Sequence, residues 1–255
     1  FSLLRRTILE LQKKNDVYVY ACGTHLSYDF GYTINEIKSE KIKNIHSIHT
    51  LDDIAKKNHI ANSVSTCIRK FSANYIKHKI DALLILGDRY EIFGAAQAAL
   101  YTKIPIFHIH GGEITEGSID DSMRHAITKL SDDHFGASKD FCNRIIQMGE
   151  DPKNVFFFGA PGVENIKKIK FLNDKELFDI IKINKSCPYF HVTFHAATKS
   201  QNNENDVSWM KKLVKNFKDY CFIFTYPSPD ESGKKIIKTI EKLKVFQNHL
   251  IIKKF

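Results

Sequence analysis

Apolar residues recur along this chain in two alternating rhythms. Residues 3–13 set Leu4, Ile8 and Leu11 on one helical face, and 17–22 follow as a short apolar run with strand character. Further on, 60–77 carry helical spacing, 82–86 read as a strand, 92–101 as a helix and 104–109 as a second strand. The alternation continues with a helix over 122–130, a strand over 134–137, a helix over 141–148 and a strand over 155–158. Apolar strands separated by helices predict the α/β class, with a parallel sheet covered on both faces. Chains of this class normally open on a strand, so the helix at the start predicts that an opening strand is missing.

Between 166 and 187 the periodicity weakens and Lys, Asn and Asp accumulate, which predicts a helical linker. A second α/β unit follows: strands at 189–194, 221–225 and 250–253, with helices at 207–217 and 232–243 between them. The expected organisation is therefore a first domain over 1–166 and a second, incomplete one over 167–255. No repeat or low-complexity tract interrupts it.

Composition narrows the function classes. With 255 residues, 43% of them hydrophobic, the chain can bury a sizeable core. The 38 basic residues exceed the 29 acidic ones, yet lysines such as Lys139, Lys153, Lys167, Lys168 and Lys170 are scattered through helices and loops. That distribution lacks the basic arm or basic amphipathic helix of a nucleic-acid or membrane partner, and leaves an anionic substrate as the reason for the charge. The five cysteines (Cys22, Cys67, Cys142, Cys187 and Cys221) are odd in number and form no C-x-x-C pair. They predict unpaired thiols in a reducing compartment, without a part in the chemistry. No apolar run is long enough to cross a bilayer and no signal-peptide pattern opens the chain, so a soluble cytoplasmic protein is expected.

Ligands of open parallel sheets bind beyond the carboxyl ends of the strands, and two strand ends here are rich in chemistry. One is followed by Gly87-Asp88-Arg89-Tyr90-Glu91, the other by His110-Gly111-Gly112-Glu113 and then Asp120, Asp121, Ser122 and Arg124. Any one of these has an ordinary reading: an acid at a helix N-terminus, a cap at Asp121 or Ser122, a tight turn at Gly111-Gly112. Three carboxylates, two arginines and several histidines at neighbouring strand ends exceed what capping requires. Asp120 and Arg124, one helical turn apart, are expected to orient each other. In the second unit His195 ends a strand, and the 226–233 loop with Ser228 and Asp230 follows another. Dinucleotide, Walker, H-E-x-x-H and G-x-S-x-G patterns are absent, and His108 and His110 lack the further ligands a zinc site needs.

The runs Gly87-Asp88-Arg89, His108-Ile109-His110-Gly111-Gly112-Glu113 and 119–130 (IDDSMRHAITKL) resemble the hydrolysing UDP-N-acetylglucosamine 2-epimerases. The likeness extends to Gly23-Thr24-His25-Leu26-Ser27, Phe158-Gly159-Ala160-Pro161-Gly162, Val192-Thr193-Phe194-His195 and Phe224-Thr225-Tyr226-Pro227, and so spans the chain. It implies the GT-B fold, two Rossmann-like halves facing a cleft, assembled as a homodimer or homotetramer. It also implies segments on both sides of this sequence that complete the site. The reaction it implies is hydrolysis with inversion at C2, giving a nucleoside diphosphate and a free sugar of the N-acetylmannosamine type, with no metal or redox cofactor.

In that resemblance Asp88, Glu113 and Asp120 are acid–base candidates, with His110 sharing the proton transfer and Arg124 orienting Asp120. Arg89 and His195 face the diphosphate, and Ser228 and Asp230 lie near the nucleotide. The sequence departs from the family pattern at His110, where glutamate is frequent, at Ala196 in place of proline and at Ser228 in place of asparagine. The same branch includes enzymes for UDP- or GDP-linked 2,4-diacetamido-2,4,6-trideoxy sugars on the route to legionaminic acid. Competing readings are a non-hydrolysing 2-epimerase, a GT-B glycosyltransferase and a binding subunit without activity.

Overall fold

The apolar runs become strands of three parallel sheets, and the amphipathic runs become the helices that cover them. The computed structural model describes residues 1–53, 56–181, 186–194, 204–226, 231–243 and 249–252. Two compact units divide the chain, Phe1–Ile169 and Lys170–Phe255.

The first unit runs α1 (Arg5–Leu11), β1 (Tyr18–Cys22), α2 (Ile34–Lys38), β2 (Asn44–Ile48), α3 (His59–His78), β3 (Leu83–Leu86), α4 (Tyr90–Tyr101) and β4 (Ile106–Ile109). It continues through α5 (Ile119–Leu130), β5 (Asp133–Gly136), α6 (Lys139–Gln147), β6 (Val155–Phe157) and α7 (Pro161–Lys168). Strands β1 and β2 pair in parallel, and β3-β4-β5-β6 form a four-stranded parallel sheet in sequence order. Its core joins Ile85 and Ile106 of the sheet to Cys67, Phe71 and Tyr75 of α3, the alanines 95, 96, 98 and 99 of α4, and Ile127 of α5. Small side chains on α4 let α3 approach closely: a Cβ on Gly94 would stand 2.5 Å from the Cys67 Cβ. Each such buried large apolar side chain contributes roughly 1.5–3 kcal/mol.

The second unit holds α8 (Asp174–Ile181), β7 (Tyr189–Thr193), α9 (Glu204–Asn216), β8 (Cys221–Thr225), α10 (Glu231–Leu243) and β9 (His249–Ile252). Strand β8 lies between β7 and β9, and all of its residues are buried: the apolar run Cys221–Phe224 and then Thr225, whose Oγ1 is hydrogen-bonded to Thr193 Oγ1 at 2.6 Å. Met210, Val214, Phe222, Phe224, Ile236, Ile240 and Leu243 make its core.

Three local expectations are corrected. The sequence reading assigned nothing to α2 and β2, because Asn44, His46 and Ser47 interrupt the apolar pattern of a half-exposed strand. Helix α7 is held to the start of the chain: Asn165 donates to the Ser2 carbonyl at 2.5 Å. The 122–130 helix begins three residues earlier, at Ile119. Two cysteines expected as free thiols, Cys187 and Cys221, form a disulfide. Parallel pairing sets Tyr189 beside Cys221, which brings Cys187 to a Cα separation of 6.1 Å. No helix among the described residues is long and apolar enough to cross a membrane.

Candidate active site

The carboxyl ends of β3 and β4, together with the start of α5, gather the candidate residues of the first unit. Ser118 caps α5 by accepting a hydrogen bond from the Asp120 amide at 3.1 Å, which places Asp120 and Asp121 in the first turn. Arg124 follows one turn later and is buried. A buried guanidinium must find acceptors, and Arg124 Nη2 donates to the Asp88 carboxylate beyond β3 and to Thr115 Oγ1 at 2.9 Å. Its Nη1 lies 3.6 Å from Asp121, whose Oδ1 accepts from the Thr115 amide at 2.7 Å. Arg124 therefore bonds Asp88 across the strand tips, where the sequence reading had it orienting Asp120. The helical spacing of Asp120 and Arg124 is as expected, but Asp88, presented by a different strand, offers the guanidinium the direct contact.

Asp120 is left with a proton affinity raised above the ordinary aspartate range. Burial is the main cause and the charge of Asp88 the next, with Arg89 and Arg124 partly offsetting them. Its electrostatic neighbours thus include Asp88 and Arg89, which follow β3, and Arg124 of its own helix. Arg89 lies with its Nε 3.6 Å from Glu91 and its guanidinium over the Tyr90 ring.

His110 follows β4 in a left-handed conformation, φ 66°, and its amide donates to the Phe135 carbonyl at 3.0 Å. Its Nδ1 is hydrogen-bonded to the Glu113 carboxylate. An ionised carboxylate only accepts, so Nδ1 carries a proton in this bond. Burial works against the charge on Glu113, but the hydrogen bond and charge of His110, with Arg124 nearby, outweigh it and hold the carboxyl below its usual range. Arg144 of α6 braces the loop between these two residues by donating from Nη1 to the Gly112 carbonyl. Thr115 and Arg144 were not among the residues expected at the site. Arg144 lies 32 positions from its partner, and no local pattern announces such a contact.

Asp88, Arg89, His110, Glu113, Asp120 and Arg124 are thus brought together. His195, Ser228 and Asp230, like Ala196, lie outside the described residues. Among the described residues no cluster of His, Cys, Asp and Glu is arranged to hold a metal ion. What the rim offers is a carboxylate with raised proton affinity, a carboxylate-oriented imidazole and two guanidiniums. Those groups can take a proton from carbon, return one and stabilise an anionic leaving group.

A parallel α/β unit carrying acid–base groups at its strand tips is the arrangement of a Rossmann-type enzyme, and solved structures give the fold class. The UDP-GlcNAc 2-epimerase of Neisseria meningitidis, solved with UDP-GlcNAc, matches with a TM-score of 0.79 at 20% identity, over 98% of this chain and 68% of that one. The epimerase of Methanocaldococcus jannaschii, solved with UDP-GlcNAc and UDP, matches with a TM-score of 0.74 at 18% identity, over 98% of this chain and 69% of that one. The fold is accordingly GT-B. In sequence, the UDP-N-acetylglucosamine 2-epimerase family profile matches residues 9–254, and the chain belongs to that family of enzymes. It is 35% identical to the hydrolysing GDP/UDP-N,N'-diacetylbacillosamine 2-epimerase of Campylobacter jejuni, over 96% of this chain and 67% of that protein. It is 33% identical to the polysialic acid biosynthesis protein P7 of Escherichia coli, over 96% of this chain and 63% of that protein. A hydrolysing UDP-N,N'-diacetylbacillosamine 2-epimerase of Legionella pneumophila is 36% identical over 67% of this chain and 45% of its own length. The chain thus spans about two thirds of the first two relatives.

Proposed function

We propose that the complete protein is a hydrolysing 2-epimerase of nucleotide-linked 2-acetamido sugars. Asp120, as general base, removes the C2 proton while the C1–O bond to the nucleoside diphosphate breaks, leaving a glycal-type intermediate. His110, protonated on Nε2 and oriented through Nδ1 by Glu113, then delivers a proton to C2 on the opposite face, while water adds its oxygen at C1 and gives its released proton back to that imidazole; the proton held by Asp120 passes to solvent. Arg124 fixes Asp88 beside the reacting ring, and Arg89 faces the departing diphosphate, where His195 would join it; Ser228 and Asp230 would contact the nucleotide. The products are a free sugar of inverted C2 configuration and a nucleoside diphosphate. The observation that carries this reading is the convergence of Asp120, the Asp88–Arg124 pair and the His110–Glu113 pair on one rim.

The relatives named for diacetylbacillosamine favour a UDP- or GDP-linked 2,4-diacetamido-2,4,6-trideoxy sugar over UDP-N-acetylglucosamine, on a route to sialic-acid-like nine-carbon sugars. Incubating the complete protein with each nucleotide sugar in deuterated water tests both points. The expected result is free sugar carrying deuterium at C2 together with nucleoside diphosphate, for one of the two. Epimerised sugar still attached to its nucleotide would establish a non-hydrolysing epimerase instead.

A further inference from the structure

His108 sits inside the first unit on β4, fully buried, and none of the steps above uses it. Its Nε2 lies 2.8 Å from the carbonyl oxygen of Gly87, the residue that turns the chain out of β3 at φ 84° and delivers Asp88. A carbonyl only accepts, so Nε2 carries the ring proton. Burial drives the proton affinity of this imidazole down to about 4, which keeps the ring neutral and Nδ1 unprotonated at physiological pH. Nδ1 faces Thr128 Oγ1 at 3.4 Å, and that hydroxyl donates to the Arg124 carbonyl at 3.0 Å. The same ring edge packs against the loop between His110 and Glu113. A Cβ on Gly111 would stand 3.0 Å from His108 Nδ1 and 3.1 Å from Thr128 Oγ1. One neutral imidazole therefore touches the segment that carries Asp88, the helix that carries Arg124 and the loop that carries His110.

We propose that His108 is a positioning residue: its Nε2–H bond to Gly87 sets the Asp88–Arg124 pair in register with the His110–Glu113 pair. This role deepens the reaction proposed above and rests on it. Among the described residues β3 pairs with β4 alone; the Gly87 amide donates to the β4 carbonyl of Ile109 at 3.0 Å, and the Gly87 carbonyl, one residue beyond the last paired position of β3, is the atom that meets the His108 ring. Loss of the bond frees the turn before Asp88, and a displacement of about 1 Å at a reacting group costs roughly 100-fold in rate.

Two variants of the complete protein separate positioning from simple core packing. His108→Leu keeps an apolar volume but has no donor, whereas His108→Gln keeps an N–H at a similar reach. His108→Leu is expected to lower kcat about 100-fold with KM changed less than about 3-fold, and His108→Gln to recover most of that loss. Equal losses in both at matched folded fraction, or an unchanged kcat in His108→Leu, would overturn the role. Nitrogen-15 NMR of the His108 ring in the unmodified protein gives a second readout that survives a variant's failure to fold. The expected spectrum is a neutral ring protonated on Nε2 throughout about pH 5 to 8; a ring that titrates there, or is protonated on Nδ1, overturns the proposal. If the unmodified protein releases no nucleotide from either sugar, the reaction is wrong, and the ring spectrum still decides the hydrogen bond.

Discussion

Asp120 and Glu113 are carboxylates in neighbouring positions that burial and charge push in opposite directions. Asp120 has its pKa raised, by burial first and by Asp88 next, so the folded state disfavours its ionised form above that pKa. Glu113 has its pKa lowered, because the bond and charge of His110 overcome burial, and its ionised form stabilises the fold. That stabilisation is present above the unfolded glutamate pKa and disappears as pH falls through the lower folded value. Asp120→Asn is expected to reduce kcat by about 100-fold to 10,000-fold and to remove the acid limb of the kcat/KM profile. It should leave the melting temperature at neutral pH equal or higher. Glu113→Gln should lower the melting temperature at neutral pH, with the difference from the unmodified protein closing toward acid in melts over about pH 3 to 7. A Glu113→Gln deficit that grows on acidification would contradict the environment described for it.

At the scale of elements, the loop between β4 and α5 matters most, because it holds His110 and Glu113 and is pinned from α6. Gly112 adopts φ 75°, and a Cβ there would come within 2.3 Å of the Phe141 carbonyl oxygen and 2.8 Å of Ile145. Gly112→Ala is therefore expected to cost about 1–3 kcal/mol in chemical denaturation, since left-handed backbone strain and a backbone clash coincide. A loss below about 0.5 kcal/mol, the ordinary range for a surface change, would show that the loop can relax. The start of α5 was legible in the sequence. Ser118-Ile119-Asp120-Asp121 has the spacing of a capping sequence, and the polar run hid it from a search for apolar periodicity. Strand β2 was hidden for the related reason that a strand with an open face need not be apolar throughout.

For the whole molecule, the clearest departure from the sequence reading is the Cys187–Cys221 bond in the second unit. The first unit keeps Cys22, Cys67 and Cys142 free, and burial raises the thiol proton affinity of each. Titration of thiols in unreduced, denatured protein is expected to find three per chain, rising to five after reduction. Five thiols before reduction would show the bond to be absent. The odd cysteine count could not have announced the pairing, because it depends on the register of β7 against β8.

The sequence by itself determined the α/β alternation, the two-unit organisation and the family, since each is written in local periodicity or in contiguous runs such as residues 119–130. It also marked most of the acids and bases at the rim, because strand ends are where such folds bind ligands. Which of those groups touch was decided only by tertiary structure. Arg124 meets Asp88, Arg144 meets Gly112 and His108 meets Gly87 across separations of 36, 32 and 21 residues. Contacts of that kind follow from strand order and helix packing, which no local pattern encodes, and they turn a set of titratable residues into one with assigned partners.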